Sequence, residues 1–160
     1  PFPSFTEAAV EMLMPLWYNQ SMPMGTANQG LRGLIMDKRE ILNCLSEFPY
    51  DRNEYWVITG GAMVLYDIRE QTADIDLGCS ERLADRLEAD GCLFRRTEHG
   101  KRWFKYGRNI EIFEEWLMDG TESVHGFRVI SIKGLIEMKQ ELGREKDKKD
   151  MELIQAFLNR

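Results

Sequence analysis

Cysteine is scarce in this sequence, histidine scarcer, and no apolar run is long. Three cysteines, Cys44, Cys79 and Cys92, stand among 160 residues, an odd number with no CxxC pair. This argues against a disulfide framework and a cysteine-built zinc site, and favours a reducing, cytoplasmic setting. The two histidines, His99 and His125, have no ligand partner at metal-binding spacing and read as surface residues. The best apolar stretch, residues 8–18, is broken by Glu11 and Pro15. It falls short of the roughly 20 residues a membrane helix needs. It also lacks the basic flank of a signal peptide, so no membrane association is expected. Positive charge is not in excess either. Lysine and arginine total 21 against 27 acids, a formal net charge of −6. A general nucleic-acid coat is therefore not expected, and a local basic groove remains open.

What is present is an ordinary globular balance, 43% hydrophobic and 30% charged, enough for one domain with its own core. The first 35 residues differ from the rest. They carry only Glu7, Glu11 and Arg32 as charges, and include a Met22-Pro-Met-Gly segment. They are expected to form a leader and linker: either an extension appended upstream of a start at Met36, or an apolar docking helix over 8–17 followed by a linker. Residues 36–160 are expected to form the domain.

From Met36 the periodicity alternates between helix and strand. Ile35, Ile41, Leu42, Leu45 and Phe48 fall at helical spacing, and Pro49 ends the helix. Residues 55–59 read as a strand running into Gly60-Gly61, and residues 62–66 as a short helix. Residues 73–77 alternate with period two. Residues 81–90 read as a helix with Ser80 as N-cap and Gly91 as its stop. Residues 92–97 and 102–106 pair as a hairpin, 109–113 form a strand, and 127–130 a last short strand. Two helices, 131–142 and 144–158, flank Gly143. The order predicts an α/β (α+β) domain with a mixed sheet flanked by helices and two C-terminal helices.

Asp74 and Asp76 carry the most chemical information. Two positions apart on a strand, they leave the same face about 6–7 Å apart, while Ile75 and Leu77 point into the core. Paired carboxylates repel unless a cation lies between them, and a hard ion such as Mg²⁺ suits them. Taken alone, such a triplet is more often just a polar strand face. Its context raises its weight. Gly60-Gly61, upstream, allows a ligand close to the backbone at a helix start that attracts anions. Arg69 and Thr72 lie in the polar loop between, where a guanidinium can meet phosphate or brace an aspartate. Glu111 alternates with Ile110 and Ile112 and supplies a third acid, as general base or metal ligand. Lys139 falls on the apolar stripe of Ile132, Leu135, Ile136 and Leu142. It either snorkels out or points into a polar cleft, where it would contact a triphosphate. Asp147 and Asp150 read as first-turn acids favouring the helix dipole, and Arg144, Lys146, Lys148 and Lys149 as a solvated face. The basic residues of the hairpin, Arg95, Arg96, Lys101, Arg102, Lys105 and Arg108, read as solvated or as the lining of an acceptor groove.

The run Ile58-Thr-Gly-Gly-Ala62, followed by Ile68-Arg-Glu-Gln-Thr72-Ala-Asp-Ile-Asp-Leu77, resembles the signature of the nucleotidyltransferase superfamily. It is most similar to small bacterial nucleotidyltransferase-like proteins related to abortive-infection toxins of toxin–antitoxin systems. The likeness covers about residues 37–158, including the Lys139 helix and the stretch Gly143-Arg-Glu-Lys-Asp-Lys-Lys-Asp150. It implies a nucleotidyltransferase fold with Gly60 and Gly61 holding nucleotide phosphates. It also implies Asp74 and Asp76 as Mg²⁺ (or Mn²⁺) ligands that activate the α-phosphate of an NTP. The third acid of this family is usually aspartate, and here the matching position carries Glu111. The expected activity is transfer of a nucleoside monophosphate to a hydroxyl on RNA, protein or a small molecule. The alternative is a catalytically inactive nucleotide-binding or protein-interaction member of the same fold. A homodimer and an antitoxin-like partner are the expected protein contacts.

Overall fold

The computed structural model describes residues 35–160. The expected leader lies outside the described residues, Ile35 apart.

Helix α1 (Lys38–Glu47) opens on a reciprocal cap. The Asp37 side chain accepts from the Glu40 N–H at 2.9 Å, and Glu40 accepts from the Asp37 N–H at 3.0 Å. Such a box supplies about 1 kcal/mol and sets the first turn. Strand β1 (Tyr55–Ile58) runs directly into helix α2 (Thr59–Leu65), so the helix starts before the glycine pair rather than after it. Strand β2 (Ile75–Cys79), helix α3 (Glu81–Ala89) and strands β3 (Phe94–Arg96), β4 (Arg102–Tyr106) and β5 (Ile110–Glu114) follow. Then come β6 (Thr121–Val124), β7 (Phe127–Ile130) and helices α4 (Ile132–Leu142) and α5 (Glu145–Leu158). Gly143, left-handed at φ 59°, turns the chain between the last two helices.

The seven strands form one mixed sheet in the order β3-β4-β5-β2-β1-β7-β6. The β2–β5 and β1–β7 pairs are parallel and the others antiparallel. The expected mixed α/β architecture is therefore present. Strand β6 was not expected from the sequence. Neither of its faces is buried, so it has no apolar alternation to read. It is held by a two-residue turn at His125-Gly126, with φ of 52° and 81°.

One sheet face is sealed. Val57, Leu77, Ile112 and Phe104 are register neighbours across four strands and fully buried. Phe48, at the end of α1, packs edge-on against Tyr55 and Tyr106 on this face. Arg102, on the same face of β4, reaches Asp85 and Glu88 of α3 at 2.8 Å each, which fixes α3 there. The opposite face carries two lateral rows. Ile58, Asp76, Glu111 and Lys105 form one, and Trp56, Gly78, Phe113 and Trp103 form the next. Among the described residues, no helix is long and apolar enough to cross a membrane.

Candidate active site

The chain enters α2 through a strained residue. Thr59 has φ 51°, a left-handed conformation that a β-branched side chain rarely adopts. Such an outlier costs about 1–3 kcal/mol. Its hydroxyl donates to Asp76 Oδ2 at 2.5 Å and so ties the strained corner to the central strand. The sequence reading passed over Thr59, although it lies within the glycine run. Gly60 comes next and is buried. A Cβ there would stand 2.7 Å from Thr72 Oγ1 and 3.0 Å from an Arg69 guanidinium nitrogen. Only glycine therefore lets the Arg69–Thr72 loop close against the helix start. Gly61 behaves differently. Its Cβ would meet Val57 of the sealed face at 3.1 Å, and it lines no part of the site. Its missing Cβ makes room for Val57 packing, and it stands outside the cavity that Gly60 lines.

Asp74 lies one residue before β2, not on the strand, but it still joins Asp76 and Glu111 at a single cavity of about 590 Å³. That volume falls within the range of roughly 300–1,000 Å³ usual for ligand pockets. Gly60, Arg69, Thr72 and Lys139 line the same cavity, so seven of the expected site residues converge there. The acids are electrostatically crowded. Burial, then the Asp76 charge, raises the Asp74 carboxyl above its ordinary range. Burial also raises Asp76, against the opposing pull of the Thr59 hydroxyl. Glu111 is pushed up to about 8, first by burial and then by Asp76 and Asp74. Among the described residues, Asp76 Oδ1 has no partner with a fixed proton. Glu111 lies opposite Asp76 in register, close enough for the two carboxyls to titrate together.

The cationic wall facing the acids departs from expectation. Lys139 is only 4% exposed. Its ammonium donates to Asp150 at 2.8 Å and Asp147 at 3.2 Å. Asp147 in turn accepts from Arg144 Nε at 2.6 Å, and Asp150 pairs with Arg69. Lys139 thus neither snorkels out nor offers a free ammonium to phosphate; its first role is to neutralise two buried carboxylates. Asp147 does sit in the first turn of α5, where it accepts from the Arg144 N–H at 3.1 Å, but it and Asp150 are also buried within this ion cluster. Arg144 is half-buried and lines the cavity, while Lys146, Lys148 and Lys149 are exposed as expected, Lys146 also at the cavity. The helical spacing had placed Lys139 on a buried stripe, but nothing local showed which acids it meets.

The hairpin cluster is likewise partly internal. Arg102 is buried against Glu114 at 2.8 Å, and Lys101 pairs with Glu115. Arg95, Arg96 and Arg108 remain exposed, as do His99 and His125. No family model matches the chain, and neither a curated protein nor a solved structure matches it.

Among the described residues, no three acidic, histidine or cysteine side chains form a ready-made metal cage. The donor chemistry still fits a hard divalent ion. Three carboxyls share one cavity, their mutual repulsion favours protonation in the absence of a cation, and Asp76 Oδ1 holds an unused lone pair.

Proposed function

We propose that the protein is a Mg²⁺-dependent nucleotidyltransferase, which moves a nucleoside monophosphate from an NTP to an acceptor hydroxyl. The convergence of Asp74, Asp76 and Glu111 with Gly60, Arg69 and Thr72 on one cavity carries this reading. Asp74 and Asp76, with Glu111 beside them, are the residues that would hold Mg²⁺ or Mn²⁺. The ion supplies Lewis-acid neutralisation of the α-phosphate charge. The chain's own groups do the rest. Arg69, held by Asp150, presents a guanidinium of fixed direction to the phosphates, which saves the entropy of ordering a free side chain. Gly60 leaves room for the polyphosphate close to the backbone. Glu111, once deprotonated, accepts the proton of the attacking hydroxyl. The hydroxyl oxygen bonds to the α-phosphorus, the bond to the β-phosphate breaks, and pyrophosphate leaves.

Calorimetric titration of an NTP with Mg²⁺ tests the proposal. Binding to the wild type that is lost in Asp74→Asn with Asp76→Asn supports it. Absence of binding to the wild type ends it.

The second reading, a binding member without turnover, draws on one observation. Burial and the neighbouring acids push Glu111 up to about 8, so at neutral pH it is not a free base. NTP binding without pyrophosphate release across RNA, protein and small-molecule acceptors would favour that reading. The toxin–antitoxin relationship, with its antitoxin-like partner, rests on the sequence resemblance alone.

A further inference from the structure

We infer that Trp103, Phe113 and Trp116 form a stacking subsite for a planar heteroaromatic ring, beside the acids in the same cavity. The inference deepens the transferase reading and rests on it for the ring's relation to the phosphates, but the ring-binding claim can be tested without phosphate.

The register of the sheet places the subsite. Glu111 and Phe113 are two residues apart on β5, and Lys105 and Trp103 two apart on β4. Each aromatic therefore leaves the same face as its polar neighbour, one pleat further along, at about 6–7 Å. Trp103 and Phe113 stand opposite each other and lie almost parallel, 7° apart with centroids at 5.7 Å. Trp116 meets Phe113 edge-on at 5.0 Å, which closes the corner. A glycine holds this corner in place. A Cβ on Gly78 would stand 2.0 Å from Trp56 Nε1 and 2.4 Å from the Trp116 carbonyl oxygen. Its absence lets the Trp56 indole cross β2 and donate to that carbonyl at 2.8 Å. The indole thereby anchors the backbone of Trp116.

Two observations distinguish this corner from ordinary core. First, it lines the ligand cavity and not the sealed face, with Phe113 and Trp116 half-exposed. Second, Trp103 is 8% exposed and its indole N–H has no partner among the described residues. An unpaired buried donor is costly, and cores usually satisfy the indole N–H. A planar ring that lies on the half-exposed Phe113 and Trp116 and brings an in-plane nitrogen or carbonyl acceptor to the Trp103 N–H supplies both a stacking partner and the missing acceptor. An aliphatic ligand supplies neither, and a saturated sugar supplies an acceptor but no stacking face.

The lateral order gives the ring its place. Thr59 and Gly60 follow β1, the acids span β2 and β5, and Trp103 is on β4. The aromatic corner and the glycine corner thus lie on opposite sides of the acids. With pyrophosphate leaving at the glycine side, the ring belongs either to the base of the NTP or to the acceptor.

Ligand-observed NMR titration of the full chain with adenosine, guanosine, cytidine and uridine tests the subsite without any phosphate, with ribose 5-phosphate as the control lacking a ring. At least one nucleoside should bind the wild type. Trp103→Leu removes the donor and the indole packed against Phe113, and should weaken it roughly fivefold or more, the loss expected for one hydrogen bond. Trp103→Phe keeps an aromatic ring against Phe113 and removes the N–H together with the pyrrole ring, so it should weaken binding less than Trp103→Leu does. It also carries the test if the leucine variant melts early. Binding should survive Asp74→Asn with Asp76→Asn. Saturating NTP with Mg²⁺ sorts the source, since displacement of the nucleoside assigns the ring to the donor and co-binding assigns it to the acceptor. The inference is overturned if no nucleoside binds, if ribose 5-phosphate competes equally well, or if both Trp103 variants bind as the wild type does. Nucleoside binding without any NTP·Mg²⁺ binding would keep the subsite and end the transferase reading.

Discussion

Glu111 carries the clearest electrostatic signature of any single side chain. Its carboxyl titrates near 8 because burial and two neighbouring acids penalise its charge. In an unfolded chain it would titrate near 4.3. Between these values the folded state binds a proton that the unfolded state does not. The stability Glu111 contributes is therefore complete below about pH 4.3 and is lost as pH rises through 8. Glu111→Gln keeps the hydrogen-bond donor without the ionisation. It should raise the melting temperature at pH 9 and leave it nearly unchanged at pH 5, as thermal melts across pH would show. A cation competes with that proton, so Mg²⁺ should raise the melting temperature more at pH 8.5 than at pH 6. Equal shifts at both values would contradict a site built on these acids. Gly60→Ala acts at the same scale. Its methyl must displace Thr72 or Arg69, so NTP affinity should fall at least tenfold while stability drops by about 1–3 kcal/mol. Calorimetry and urea denaturation separate the two effects.

The elements show which parts of this arrangement local sequence can encode. The helices were legible because their apolar spacing, the Ser80 cap and the Gly143 break are all local signals, whereas the Asp37 cap was passed over. Strands β2 and β5 were legible for the same reason, and with them the acids that face the cavity. Strand β6 was not, since its stability comes from pairing to β7 rather than from burying a face. The cationic wall was half legible. Period 3.6 put Lys139 on a buried stripe, but its partners Asp147 and Asp150 lie on the following helix, and Arg69 comes from a loop far upstream. Chain-distant pairing of this kind leaves no local mark. The α4–α5 junction gives a direct test. Lys139→Met leaves two buried carboxylates short of a partner and should cost about 3–5 kcal/mol in urea denaturation. Replacing Lys148, which is exposed, should change stability by less than about 0.5 kcal/mol.

For the whole molecule, the ionisable groups fall into two sets with opposite pH dependence. Burial alone would raise Asp147 and Glu114, but Arg144 and Lys139 hold the first below the usual carboxylate range, and Arg102 holds the second there. Their contribution is present above that range and fades as pH falls through it. Asp74, Asp76 and Glu111 are raised, so theirs fades as pH climbs. The protein should therefore be most stable in mildly acidic solution, about pH 5–6, and lose stability on both sides. A chemical-denaturation series from pH 3 to 9 would show this dome, and a maximum at pH 8 or above would refute it.

The bond between Asp150 and Arg69 also bears on how the protein comes off the ribosome. Arg69 emerges early, whereas the carboxylate that aims it belongs to α5, translated after every strand of the sheet. A nascent chain that has finished its sheet therefore still has a loose guanidinium at the mouth of its cleft. The cavity proposed as the site therefore lacks its fixed Arg69 until α5 docks.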